Sequence, residues 1–107
     1  EVVSAAGPGG QVDLAALMAI LAARGINEVH VEAGAMLGGA LWKAGWVDEV
    51  LAYVAPVLLG PGRGMVEFSP LRALTEATRL RFLECQPVGA DLRLRARSSG
   101  ANPGLWL

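Results

Sequence analysis

The run Val29-His30-Val31-Glu32-Ala33-Gly34-Ala35-Met36-Leu37-Gly38-Gly39-Ala40-Leu41 constrains this chain most. It reads as a short apolar strand, a small-residue turn ending in glycine, and a helix that begins at once. An acid, Glu32, stands at the strand's carboxyl end. A strand–turn–helix of this kind aims backbone N–H groups at the helix N-terminus, where they can hold a phosphate. The carboxylate is then aimed at whatever lies beside that phosphate.

The rest of the chain supplies matching units. Glu1 to Ser4 read as the end of a strand, followed by a Gly7–Gly10 loop. Asp13 is placed as an N-cap, with Leu14, Leu17, Met18 and Leu21 at helical spacing behind it. Arg24 falls in the last turn and Gly25 closes it. The second helix spans Ala35 to Ala44, closed by Gly45. Gly38 and Gly39 within it cost about 1 kcal/mol each against alanine. That cost predicts a close approach there by a sheet, another helix or a ligand. A strand follows over Glu49 to Ala55, ended by Pro56. Arg79 to Pro87 and Asp91 to Arg97 alternate around Gly89-Ala90 and predict a β-hairpin. Strict alternation puts Leu80, Phe82 and Glu84 on one side, and Arg81, Leu83 and Cys85 on the other. The order β-α-β-α-β plus hairpin predicts an α/β fold, a largely parallel sheet with an antiparallel edge.

The chain has 107 residues, 53% of them hydrophobic, and a mean hydropathy of +0.43. One small domain struggles to bury that much apolar surface. The chain also opens on Glu1-Val2-Val3, already strand-like. It is therefore read as the later part of a larger domain, its surplus covered by further chain or by a second subunit. The apolar runs are interrupted by Arg24, Glu32, Lys43 and Asp48, too often for a membrane helix. A formal net charge of −1 argues against a broad nucleic-acid footprint.

Individual side chains have plainer readings. Cys85, the one cysteine, can form no internal disulfide; it reads as a small buried hydrophobe in a cytoplasmic protein. Arg79, Arg81, Arg93, Arg95 and Arg97 read as a solvated outer strand face, with anion binding as the alternative. His30 reads as a structural histidine, and Asp48 and Glu49 as solvent-facing or turn-capping acids. Arg63 lies in a glycine-rich loop, from which it can reach an anion. Trp42 and Trp46 read as core or interface anchors.

Three stretches together carry a resemblance: Val31–Leu41, Gly45-Trp46-Val47-Asp48-Glu49, and Tyr53-Val54-Ala55-Pro56-Val57-Leu58-Leu59-Gly60. Asp13–Leu17, Arg24-Gly25-Ile26 and Val88–Leu92 fit the same pattern in the same order. Over residues 1 to 97 the chain resembles the reductase domain of the bifunctional riboflavin-biosynthesis family, RibD. Residues 98–107 are then a tail. The resemblance implies the C-terminal portion of a dihydrofolate-reductase-like mixed sheet with flanking helices and a closing hairpin. It implies a cytoplasmic NADPH-dependent reductase that converts the ribosyl group of a pyrimidine ribosylamine phosphate, 5-amino-6-(5-phosphoribosylamino)uracil, to ribityl. Glu32 would contact the substrate, and Gly34, Ala35, Met36, Leu37, Gly38, Gly39 and Ala40 would line the cofactor's phosphates. No catalytic residue is assigned and no metal site is expected, the family's zinc deaminase domain being absent. A homo-oligomer is expected, and the segment alone is expected to be inactive. Another reductase of the same fold, or a non-catalytic oligomerisation module, are the alternatives. Many family members have two glycines after the acid where this chain has Ala33-Gly34, so the turn must not require a positive φ at residue 33.

Overall fold

A computed structural model describes residues 1–99. The chain divides into two compact units, Glu1–Ala33 and the residues from Gly34 onward.

In the first unit the Asp13 side chain accepts a hydrogen bond from the Ala16 N–H at 2.9 Å. That satisfies one of the free donors at the start of helix α1, Leu14–Ala23. Leu14, Leu17, Met18 and Leu21 are all half-buried, while Ala15, Ala19, Ala22 and Ala23 face out. The helix stops where glycine permits a left-handed residue: Gly25 has φ +77°. The Ile26 N–H then turns back to the Leu21 carbonyl at 3.1 Å, the closing bond of a Schellman cap. Arg24 grips Glu1 through two contacts of 2.7 and 3.1 Å.

The strand expected at Glu1–Ser4 does not form; Ala6 and Val12 make an isolated bridge instead. Nor does Val29–Val31 join a ladder, and both valines are 45% exposed. A strand exists only through its partner's hydrogen bonds, and among the described residues none pairs with this segment.

The second unit begins with α2, Ala35–Lys43. Its end is closed by Gly45 at φ +78° and by the Trp46 N–H on the Leu41 carbonyl at 3.0 Å. Strand β1, Glu49–Val54, follows, and then the hairpin of β2, Leu80–Val88, and β3, Asp91–Ser98. Gly89 has φ +60° and no non-glycine residue among the described residues has a positive φ, the sign pattern of a II′ turn. The sheet order is β1-β3-β2 and both pairings are antiparallel. The mixed α/β class holds, but the parallel pairing expected from the element order is not present among the described residues. The expected tail begins inside β3, which Ser98 completes; residues 100–107 lie outside the described residues.

The register corrects the expected faces of β2. Phe82 opposes Ala96 and Glu84 opposes Arg95, so Leu83 is an extra residue in a bulge. Beyond it the alternation flips. Arg81, Glu84 and Gln86 share a face with Arg93, Arg95 and Arg97, and with Glu49, Leu51 and Tyr53 of β1. The opposite face carries Phe82, Cys85, Leu92, Leu94, Ala96 and Val50.

The polar face is a ladder of ion pairs rather than a row of solvated charges. Arg95 contacts Glu49 on one neighbouring strand at 2.8 Å and Glu84 on the other at 3.3 Å. Arg93 contacts Glu84 at 2.6 Å and Arg97 contacts Glu49 at 3.2 Å. Glu49, expected to face solvent or cap a turn, thus holds β1 to β3. The Arg95 hydrogen bond, with Arg97 behind it, lowers the Glu49 pKa against the opposing effect of burial. The Arg93 hydrogen bond does the same for Glu84. Carboxylates with lowered native pKa stabilise the fold fully above the unfolded carboxylate pKa. They lose that contribution as pH falls through the lower native value. Thermal unfolding is therefore expected to be flat with pH above about 4.5 and to fall steeply below it. The double variant Glu49→Gln, Glu84→Gln is expected to be less stable at neutral pH and to have a flatter acid limb; an unchanged acid limb would remove the ladder from the account.

The core is thin. Leu41 and Ala96 are the buried hydrophobics among the described residues, at 5% and 3% exposure, while Phe82 is 67% exposed. Cys85, expected to be buried, is also exposed. Its strand lies at the sheet's edge, and no described element covers it enough to bury it. No helix among the described residues is long and apolar enough to cross a membrane.

Candidate functional site

Helix α2 starts at Gly34, whose backbone is extended (φ −70°, ψ 174°) and which has no side chain to cap the turn. The first intrahelical bond runs from the Gly38 N–H to the Gly34 carbonyl at 3.0 Å. The N–H groups of Ala35, Met36 and Leu37 precede it and have no acceptor among the described residues. Met36 is 76% exposed, and nothing lies within 4 Å of where a Gly34 side chain would begin. Three aligned donors at the positive end of a nine-residue helix, open to the outside, suit an anion. Residue 33 has no positive φ, so alanine sits there without strain.

The two glycines further along serve another purpose. The Glu67 N–H donates to the Ala35 carbonyl at 2.9 Å, drawing residues 65–67 across α2. A Cβ on Gly39 would overlap the Glu67 carbonyl oxygen and lie 3.0 Å from its carbon and 3.1 Å from its nitrogen. On Gly38 it would meet Val66 Cγ1 at an ordinary 3.7 Å. The close approach that the glycines predicted is thus made by a bend in the loop after β1. Of the seven residues Gly34 to Ala40, the first four form the open turn; Gly38 and Gly39 form the packed back of the helix, and Ala40 is exposed.

Glu32 lies in the first unit, on an extended segment with no ladder. Its carboxylate is 88% exposed, and its Oε1 stands 3.5 Å from His30 Nε2. That exceeds a good hydrogen bond but brings both polar groups to one side of the segment, since residues i and i+2 of an extended chain share a face. Arg63 is exposed and has no acidic partner among the described residues. Trp42 is half-buried and Trp46 is 44% exposed. The sequence reading missed the role of residues 65–67, although Gly39 was the signal that something had to lie there.

An acid-bearing segment followed by a glycine turn into a helix, then an antiparallel sheet ending in a hairpin, places the chain in the dihydrofolate-reductase-like fold class. The structure superposes on RibD of Acinetobacter baumannii with a TM-score of 0.76 at 31% identity, over 82% of this chain and 25% of that one. RibD of Escherichia coli K12 is 44% identical over 86 residues, 79% of this chain and 23% of the relative. A protein of Buchnera aphidicola from Acyrthosiphon pisum, named 5-amino-6-(5-phosphoribosylamino)uracil reductase, is 30% identical over 90 residues, 78% of this chain and 41% of its own length. The family described as the RibD C-terminal domain matches residues 1–94, and the chain belongs to that family. It spans about a quarter of the length of the RibD relatives it matches.

Proposed function

We propose that this chain forms the C-terminal part of a cytoplasmic reductase that uses NADPH to convert the ribosyl group of 5-amino-6-(5-phosphoribosylamino)uracil to ribityl. The observation that carries the reading is the open α2 turn, with three N–H groups that have no acceptor among the described residues and that begin three residues after Glu32 in the sequence, in a chain of this family. NADPH, when bound, supplies the hydride for the sugar's C1′. The amides of Ala35, Met36 and Leu37 hold one of its phosphates. Glu32 accepts hydrogen bonds from sugar hydroxyls or the amine, and so orients the reacting carbon. Gly39 acts behind them, by letting α2 sit against residues 65–67.

The exposed apolar surface supports the further proposal that the chain works as a homo-oligomer. The segment alone is proposed to be inactive, because it spans so little of its relatives.

Titration with NADPH tests the cofactor reading, with Trp fluorescence and the amide signals of Ala35, Met36 and Leu37 as readouts and NADH as comparison. Saturable binding that moves those three amides and favours NADPH is the expected result. Equal binding of both nucleotides would remove the preference for the extra phosphate. Movement elsewhere, or none, would remove the α2 turn as a sufficient site.

A further inference from the structure

A cavity lies within the unit that begins at Gly34. Its volume is about 440 Å³, and its walls include Trp42, Thr75, Thr78, Arg79, Ser98 and Ser99. Trp42 stands seven residues along α2 from Ala35, about 10 Å at the helical rise. The cavity is therefore separate from the turn assigned to the cofactor.

The chemistry of the walls is one-sided. Of the hairpin's arginines, Arg93, Arg95 and Arg97 are held by Glu49 and Glu84, while Arg81, on their face of the sheet and not in the cavity wall, has no acidic partner among the described residues. The ladder ends before Arg79, whose guanidinium has no partner among the described residues. The backbone fixes its place: the Ser99 N–H donates to the Arg79 carbonyl at 2.9 Å, so the two residues face each other across the hairpin's open end. Four hydroxyl-bearing residues, Thr75, Thr78, Ser98 and Ser99, line the same cavity. The cavity's one carboxylate, Glu76, is turned to the Arg72 N–H at 2.9 Å. The carbonyl end of α2, which would repel an anion, is covered: the Ala44, Gly45 and Trp46 N–H groups take the carbonyls of Ala40, Trp42 and Leu41.

A lone guanidinium with hydroxyl donors matches a phosphate, and an indole in the same wall offers a face for a ring. We propose that this cavity binds a phosphate monoester with an aromatic group, the phosphate on Arg79 and the hydroxyls and the ring against Trp42. The site stands independently of the cofactor turn.

Titrating the 107-residue chain with phenyl phosphate and, separately, with inorganic phosphate tests this, at constant ionic strength held with sodium chloride. Amide signals of Thr78, Arg79 and Ser99 and the Trp42 indole N–H are the readouts. Phenyl phosphate is expected to saturate them and to bind more tightly than inorganic phosphate. Exposed Arg79 changed to Gln should weaken binding about tenfold, and Arg79→Lys should retain part of it; Arg63→Gln should bind as the parent does. Circular dichroism confirms that each variant is folded. No saturation, unchanged affinity in Arg79→Gln, or shifts confined to Ala35–Leu37 would overturn the site. Equal affinity for the two phosphates would overturn the part assigned to Trp42.

Discussion

Changing Gly39 to alanine is expected to destabilise the chain by about 2 kcal/mol, a fall of roughly 10 °C in Tm. The sign is unusual, because alanine in a helix interior normally gains about 1 kcal/mol over glycine. Here the added Cβ would overlap the Glu67 carbonyl oxygen and press on the carbon and nitrogen of the same residue. Those are main-chain atoms, and they cannot rotate aside as a side chain would. Either residues 65–67 lift off, breaking the Glu67 N–H bond to the Ala35 carbonyl, or α2 shifts. Gly38→Ala is the internal comparison. Its Cβ meets only a Val66 methyl group at 3.7 Å, so it should be neutral or stabilising. Thermal unfolding of the two variants side by side decides it; Gly39→Ala unfolding at or above the temperature of Gly38→Ala would mean that the segment does not pack there.

In a complete reductase carrying this segment, Glu32→Gln is expected to lower kcat/KM by roughly a hundredfold, the scale of losing a hydrogen bond to a charged group that holds a reacting centre. Glutamine keeps the size and one acceptor but loses the charge. The 88% exposure of the carboxylate means that no folding contribution complicates the change, and Tm should stay within about 2 °C. NADPH affinity should also hold, because the phosphate is assigned to backbone amides and not to this side chain. A fall in NADPH affinity equal to the fall in kcat/KM would place Glu32 at the cofactor instead of the sugar. Unchanged turnover would remove it from the site.

Signals confined to a few neighbouring residues were legible in the sequence. Asp13 caps α1, and Gly25, Gly45 and Gly89 take the left-handed conformations their positions required. What depends on distant partners was not. The Val29–Val31 segment has a strand's composition, but a strand needs a neighbour to share its hydrogen bonds. The bulge at Leu83 has no local mark, yet it moves Glu84 to the arginine face and makes the ladder possible. Alternation alone therefore placed Glu84 on the wrong side and hid the partners of Arg93 and Arg95. For the candidate site, the sequence showed that glycines at 38 and 39 needed a reason. It did not show that a segment some thirty residues later supplies one. The family resemblance proposed Glu32 and the turn as site residues; the structure separated the open front of that turn from its packed back.

The packing behind α2 bears on how the turn would meet a phosphate. Residues 65–67 hold the helix from the rear, through the Ala35 carbonyl and the flat surface at Gly39. The front amides thus point outward before any ligand arrives, and binding needs no ordering of that backbone. A rigid receptor of this kind favours a fast, simple association step, with rate proportional to ligand concentration and no slow phase after it. Loosening the rear support would then be felt at the front as weaker binding, although no residue that touches the ligand had changed.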